Sequence, residues 1–391
     1  MNNIRFMVAA IATVLAQCLC AVNYAEFLLQ IDENNTELKA MSVRNMSDLD
    51  ELRAENSLKG PEVDFSYMFG DHAVGNKMEI GASQSFEWLG VYHSRNKVIN
   101  TRHESLDYQY EALRRDIHTR VLSLCAEIVW TSKQLDLYSS ILSDIDSLTV
   151  AYSKAFEYGE VSILDINKLK IERVSALRSI RVLEARRAEL QVNLTAANGG
   201  IPISVDVFDE YPLLQLPSSL DEYIAYATEK DPMALYYKKQ SMADEYEISA
   251  AKRSLMPSFS IGYKYMNELG DKFNGITAGI SLPLYSGNSV KAARGRKTAN
   301  NIEAELWSKT VAENLAKEYA TAKSLADELV TYDTALSGDN IRLLHKALNA
   351  GQISLVEYLL EKRFYIDALI ERLEVEYLYI QSLNSINRYN Y

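Results

Sequence analysis

Two stretches of this sequence decide its fold, and both begin at a proline: PEVDFSYMFGDHAVGNKMEIGASQSFEW at residues 61–88, and PSFSIGYKYMNELGDKFNGITAGISLPL at residues 257–284. Each holds two runs in which apolar and polar residues alternate, separated by a polar segment that contains glycine. A period of two is typical of β-strands with one apolar and one polar face. The alternation predicts four strands, at residues 61–69, 78–88, 257–267 and 274–284.

Long helical sequence follows each strand pair. Apolar residues recur every seven positions, as in Val121, Ile128 and Leu135. A heptad keeps one apolar seam facing a partner helix, which predicts coiled-coil packing. The tract from about residue 92 to Gly159 would form a helix about 100 Å long. The helix before Gly351 is expected to be of similar length. Helices of that length do not fit a compact globule.

The order proline, strand, loop, strand, helix, glycine, helix occurs twice, which predicts an internal repeat. Residues 22–200 form the first repeat, with a helical hairpin tip near Gly159. Residues 221–391 form the second, with a tip near Gly351. A proline-rich linker at 201–220 joins the two repeats.

The N-terminus has the features of a secretory signal peptide over residues 1–21. Arg5 precedes a short apolar run that ends in small residues, a pattern typical of exported proteins. Cys18 follows an imperfect lipoprotein signal, so the sequence leaves lipidation of Cys18 open. Cys125 is then the remaining cysteine, and a cysteine at a helical position is typical of a small buried hydrophobe.

Composition argues against several classes of function. There are 53 acidic and 41 basic residues, a formal charge of -12, whereas a nucleic-acid-binding protein should carry a basic stripe. None of the five histidines belongs to an HExxH motif or to a Cys–His cluster with metal-ligand spacing. No phosphate-binding glycine loop or GxSxG motif occurs. The sequence predicts no enzyme, no metal site and no cofactor.

From about residue 25 to the C-terminus the chain resembles the TolC-like outer-membrane efflux proteins. The resemblance is carried by the strand-to-helix turn Ile280-Ser-Leu-Pro283-Leu-Tyr-Ser-Gly287 and by the tips Gly159-Glu-Val-Ser162 and Gly351-Gln-Ile-Ser354. It implies an α+β membrane protein, mainly long coiled-coil helices with two two-strand β-hairpins. Three chains of a homotrimer would supply a 12-stranded β-barrel and a periplasmic barrel of helices.

The same resemblance implies a function, a location and a set of partners. The function is a passive exit duct for efflux or type-I-like secretion in the outer membrane of a Gram-negative bacterium. The duct would contact outer-membrane lipid, a periplasmic adaptor and an inner-membrane pump. The loops at residues 70–77 and 267–274 would lie outside the cell. An alternative that the sequence leaves open is a secreted coiled-coil scaffold without channel activity.

The resemblance also assigns roles to single residues at the tips. Gly159, Ser162, Gly351 and Ser354 would form the adaptor-docking surface. Two carboxylates would help to close the periplasmic end of the tunnel, namely Asp165 and Glu357. An acid near a helix start is equally explained by the helix dipole, so the residues alone leave the gating role open.

The sequence departs from the family pattern at some positions. Where the second copy has Pro283-Leu-Tyr-Ser before its helix, the first has Glu87-Trp-Leu-Gly. Some members carry a further acid on the second hairpin, where this chain has Leu360. These differences put a single narrow ring of acids in doubt.

Overall fold

The computed structural model of the chain describes residues 23–71, 75–283 and 287–390. The expected signal peptide, with Cys18, and residues 284–286 of the strand-to-helix turn lie outside the described residues. The helices are α1 Tyr24–Asn34, α2 Thr36–Glu55, α3 Leu89–Glu157, α4 Ile163–Ala197, α5 Leu220–Lys230, α6 Pro232–Arg253, α7 Gly287–Ala335, α8 Asn340–Asn349 and α9 Leu355–Asn387, with short 3-10 helices at Val205–Val207 and Arg388–Asn390. The strands are β1 Glu62–Met68, β2 Lys77–Phe86, β3 Ser258–Glu268 and β4 Asp271–Ser281. A mainly helical α+β chain is thus confirmed.

The chain divides into two compact units, and each unit takes segments from both halves of the sequence. The described residues of the first unit are 23–38, 114–224 and 313–390. Those of the second unit are 39–113 and 225–312, apart from the two short gaps. The second unit contains all four described strands, and the first contains the two hairpin tips.

The four strands form one antiparallel sheet in the order β1-β2-β3-β4. Strands β2 and β3 are the central pair, so the two sequence repeats are joined by the ladder that runs from Lys77↔Glu268 to Phe86↔Phe259. Strands β1 and β4 each have one paired side among the described strands. The sheet therefore has two open edges.

The turn between β3 and β4 differs from the sequence-based prediction of a loop at 267–274. The strands extend to Glu268 and resume at Asp271, which leaves a two-residue turn. Leu269 has φ 56° and Gly270 has φ 95°. Positive φ at both central residues is the geometry of a type I′ hairpin, which matches the twist of the flanking strands. The apolar alternation ends before the strands do, so it overestimated the length of the loop. Polar residues near the turn, such as Asn267 and Lys272, still pair in the ladder.

The first unit has a buried core where three helices meet near the tips. Apolar side chains of α3, α4 and α9 form it: Ile145, Leu148, Leu169, Ala176, Leu355 and Tyr358. Leu169 and Tyr358 are 0% exposed. Full burial of a leucine side chain contributes about 1.5–3 kcal/mol, so this cluster holds the two hairpins together.

The second long hairpin is interrupted before its tip, which the sequence did not predict. Helix α7 ends at Ala335, and a separate helix, α8, runs from Asn340 to Asn349. Between them lies Leu336-Ser-Gly-Asp339. Glycine costs about 1 kcal/mol in a helix interior, so Gly338 weakens the helix here. Asp339 holds the N-cap position of α8 without a side-chain hydrogen bond. Leu329, Leu336 and Leu343 are seven residues apart, and this regular spacing concealed the break in the sequence.

Candidate functional site

The sheet is amphipathic, and its apolar face is open. Because successive side chains point to opposite faces, the register places Val63, Ala82, Tyr263 and Ile276 on one face. Val63 is 74% exposed and Ile276 is 81% exposed. Large apolar side chains of a soluble sheet are normally covered, so an uncovered face of this kind marks a surface that meets another apolar medium or molecule.

The opposite face of the sheet is polar and carries a buried carboxylate. Glu79 on β2 lies between two lysines, with Lys77 Nζ 3.0 Å from Oε1 and Lys264 paired to the other oxygen. Glu79 is 8% exposed. The small residues Gly81 and Gly262 lie on the same face, where strand β2 pairs with strand β3. This face of the sheet therefore carries charged and small residues.

The two hairpin tips are built in the same way. Helix α3 ends before Gly159, which has φ 76°, and helix α8 ends before Gly351, which has φ 66°. At the first tip, the N–H of Gly159 donates to the carbonyl of Phe156 and the N–H of Glu160 to that of Ala155, both at 2.9 Å. The N–H groups of Gly351 and Gln352 bond in the same pattern at the second tip. This is the Schellman ending, which requires a left-handed residue that glycine supplies without strain.

The helix that follows each tip begins with a capping box. Ser162 Oγ accepts the Asp165 N–H at 3.3 Å, and the Asp165 carboxylate accepts the Ser162 N–H at 3.3 Å. Ser354 and Glu357 repeat this, with the Ser354 N–H donating to Glu357 Oε2 at 2.7 Å. A capping box satisfies two helix-start donors reciprocally. The predicted gating acids are therefore both engaged by their own helices in this structure.

These hydrogen bonds lower the pKa of both carboxyls. The Ser162 side chain is the largest cause for Asp165, and the Ser354 backbone N–H is the largest for Glu357. A carboxyl whose pKa is lowered by folding stabilises the fold above its unfolded pKa. That contribution is lost as the pH falls below about 4 and through the folded pKa. The first turns of α4 and α9 should therefore loosen in acid.

We expect Ser162→Ala and Ser354→Ala each to weaken amide protection in the first turn of the following helix about fivefold. That factor corresponds to the roughly 1 kcal/mol typical of a lost N-cap. Hydrogen exchange with mass spectrometry over the tip peptides is the measurement. Ser147→Ala is the matched control, since its hydroxyl bonds the Ser143 carbonyl within helix α3 and caps nothing. Equal effects in all three variants would show that the capping boxes contribute nothing particular.

A groove joins the two tips in the first unit. It has a volume of about 540 Å³, and Gly159, Ser162 and Asp165 line it together with Ser354. Gly351 and Glu357 do not line it. Among the other predicted site residues, Pro283 follows strand β4 and Gly287 begins helix α7, so they frame the strand-to-helix turn in the second unit.

A buried polar cluster near the tips was missed by the sequence analysis. Asp144 on α3 accepts a hydrogen bond from Tyr358 Oη at 2.9 Å and pairs with Lys362, both on α9. His345 Nε2 on α8 lies 2.7 Å from the same carboxylate. Lys362 is 6% exposed and Tyr358 is fully buried. Burial, together with the negative charge of Asp144, raises the pKa of the Tyr358 hydroxyl.

The sequence spacing of Lys362 from its apolar neighbours could have indicated that this lysine is buried. Leu355, Tyr358 and Lys362 are three and four positions apart, which places them on one face of a helix. The first two are apolar or aromatic, so the lysine falls on the buried face. A lysine on such a face needs a carboxylate partner. The sequence could not identify which of the many acids on α3 supplies it.

Across residues 23–71, 75–283 and 287–390, no group of three or more His, Cys, Asp or Glu side chains could hold a metal ion. Over the same ranges, no helix is long and apolar enough to cross a membrane.

Solved structures with the same fold include outer-membrane channels. The CmeC outer-membrane channel of Campylobacter jejuni superposes with a TM-score of 0.72 at 13% identity, covering 94% of this chain and 85% of CmeC. The open state of the MtrE outer-membrane channel of Neisseria gonorrhoeae gives 0.74 at 14% identity, with 94% and 88% covered. The outer-membrane protein VceC of Vibrio cholerae gives 0.71 at 12% identity, with 94% and 95% covered.

No protein-family model matches the sequence, and no curated protein matches it. The similarity is therefore one of fold, maintained at 12–14% identity over nearly the whole chain. The predicted resemblance to TolC-like proteins is confirmed at the level of the fold.

Proposed function

We propose that this chain is the outer-membrane channel of a tripartite efflux or type-I-like secretion system, a passive exit duct formed by a homotrimer. The observation that carries the proposal is the sheet, which has an exposed apolar face, a polar face and two open edges. Open strand edges are normally covered or paired, because unpaired backbone groups invite association. Three copies of four strands would give twelve, enough to close a barrel, whereas four alone cannot.

The two faces fit such a barrel. In a membrane barrel the apolar side chains face lipid and the polar ones face the lumen, in strict alternation. Ile276 and Ile280 would meet lipid, while Glu79 and Lys264 would line water. The structural neighbours supply the second support, since CmeC and MtrE are outer-membrane channels. The partners, the location and the export role are proposed for this chain on the basis of that similarity of fold.

Ion conductance in planar bilayers tests the channel directly. Purified chain extracted from membranes should insert and give uniform single-channel steps, since a closed barrel with a polar lumen conducts. The same preparation, heated until the trimer dissociates, is the control and should give no steps. A folded preparation that never conducts would support the alternative of a secreted coiled-coil scaffold instead.

The tips form the proposed adaptor-docking surface, with Gly159, Ser162, Gly351 and Ser354 as its residues. We expect Gly159→Trp or Gly351→Trp to abolish crosslinking to the periplasmic adaptor while the trimer persists. A Cβ at either glycine would meet no atom of the chain within 4 Å, so the new ring would project outward. Because φ is positive at both tip glycines, any side chain there strains the backbone. Gly200→Trp is the matched control, since Gly200 has φ 88° and equally open space. Normal crosslinking in the tip variants would place docking elsewhere.

The role of Asp165 and Glu357 in closing the tunnel is a separate proposal with its own test. If their carboxylates also bond neighbouring hairpins, Asp165→Ala with Glu357→Ala should raise single-channel conductance. Charge-assisted hydrogen bonds between hairpins would favour the closed state, so their loss would shift the balance towards the open state. Unchanged conductance would leave helix capping as the function of both acids.

A further inference from the structure

The two helices that leave the sheet begin without acidic residues. Residues 88–103 at the start of α3 contain Arg95, Lys97 and Arg102 but neither aspartate nor glutamate. Residues 282–302 around the start of α7 contain four bases and again no acid. In a chain of formal charge -12, two such stretches at matched places are unexpected. Both repeats therefore concentrate positive charge where strand gives way to helix.

Helix stability does not explain this charge. The N-terminus of a helix carries a partial positive charge, which favours acids and disfavours bases in the first turns. Neither α3 nor α7 has an acid in its first turn, whereas α4, α5 and α9 each do. The dipole acts mainly within the first turn, and Lys291 and Arg294 lie beyond it, so the dipole neither favours nor disfavours them. Exposed positive charge that has no role in its own helix suits an external anion.

Some of these bases are already neutralised within the second unit. The ion pairs are Arg95–Glu87 at 2.9 Å, Arg102–Glu247 at 2.7 Å, Arg296–Glu247 at 2.6 Å and Lys297–Glu245. Lys291 and Arg294 are exposed, and no acid within the described part of the chain forms an ion pair with them. They are three residues apart on α7 and share one face of that helix.

Exposed apolar side chains flank the same region. Trp88 is 46% exposed and packs against Phe259 on β3, with ring centroids 6.2 Å apart. Leu89 is 82% exposed and Leu282 is 65% exposed. Exposed aromatic and apolar residues followed by bases are typical of a membrane–water boundary, where rings lie at headgroup depth and cations meet phosphates.

We propose that Lys291 and Arg294 form a binding site for the phosphate groups of anionic phospholipids, in the leaflet that the helices leave. The inference rests on the proposed function, because it places the apolar face of the sheet in a bilayer. With strands β1 to β4 in hydrocarbon, the first turns of α7 emerge at headgroup level. There an arginine and a lysine on one helix face can bind a phosphate together.

Native mass spectrometry of the detergent-solubilised full-length protein, titrated with phosphatidylglycerol or phosphatidylcholine, tests the site. Wild type should retain phosphatidylglycerol in preference to phosphatidylcholine. Lys291→Gln with Arg294→Gln should weaken phosphatidylglycerol binding about 25-fold, since one base near a lipid surface contributes a factor of about five. Binding of phosphatidylcholine should not change. Inorganic phosphate in excess should fail to displace the lipid; full displacement would mean a site for free phosphate and overturn the lipid assignment.

The matched control is Lys317→Gln with Lys323→Gln, which removes the same charge from exposed positions much further along α7. Equal loss of lipid in both double variants would overturn the proposal, because net charge alone would then explain binding. Dissociation of the trimer by Lys291→Gln with Arg294→Gln would also overturn it and assign these bases to a subunit contact. Conductance of wild type, measured on the same preparation, separates a failure of this inference from a failure of the channel itself.

Discussion

Ile276→Arg is expected to prevent accumulation of the chain in the outer membrane, whereas Thr277→Arg on the next position is expected to be tolerated. Ile276 is 81% exposed at the middle of β4 and lies on the apolar face. An arginine on the lipid face near the bilayer midplane costs about 2–4 kcal/mol in each chain, and a trimer would bear that cost three times. Thr277 lies on the polar face, opposite Gly262 of β3, where a charge would meet water.

The measurement is the fraction of chain that sediments with outer membranes as a heat-modifiable oligomer. Thr277→Arg is the matched control, because it introduces the same residue one position away. Equal loss of both variants would mean that insertion of arginine anywhere in β4 disrupts the sheet. Equal tolerance would mean that the apolar face does not meet lipid.

Asp144→Ala is expected to destabilise the first unit by about 3–5 kcal/mol. Removal of the carboxylate leaves the Lys362 ammonium buried without its partner, and Tyr358 loses its acceptor. Breaking one side of a buried ion pair costs this much because an uncompensated charge remains in a medium of low polarity. The melting temperature of the purified protein, followed by circular dichroism, reports the loss.

Two variants make this prediction specific. Asp146→Ala removes an acid two positions away whose partner, Arg173, is 46% exposed, as Asp146 is. Exposed pairs contribute about 0–1 kcal/mol, so its melting temperature should barely change. Asp144→Leu combined with Lys362→Met should recover most of the stability, because apolar replacement of a whole buried pair is often neutral. A double variant as unstable as Asp144→Ala would show that lost packing, not the orphaned charge, sets the cost.

Local sequence patterns predicted the elements that obey a short period. Period-two alternation predicted the four strands that the described residues form, within about three residues at each end, and Gly159 and Gly351 mark the two tips. The strand pattern can be read because the pleat sends successive side chains to opposite faces. The tip glycines can be read because a positive φ favours glycine. The exposed apolar face could be predicted for the same reason.

Features that depend on partners distant in sequence could not be predicted. The Asp144–Lys362 pair joins helices more than two hundred residues apart, and the sequence holds many acids that could serve. The break before α8 was not predicted from the sequence, because Leu336 continues the seven-residue apolar spacing although the helix ends at Ala335. The family resemblance suggested a gate at Asp165 and Glu357, although a serine three residues before each acid is also the sequence signature of a capping box.

A channel requires several copies of the sheet to pair along their open edges. The mass of the membrane-extracted protein under native conditions, in a detergent that preserves its secondary structure, tests this most directly. Strands β1 and β4 are unpaired on one side each among the described strands, so edge pairing between chains must continue until the sheet closes. We expect a mass of three mature chains, with no stable smaller species. A folded monomer that persists in detergent would contradict the channel.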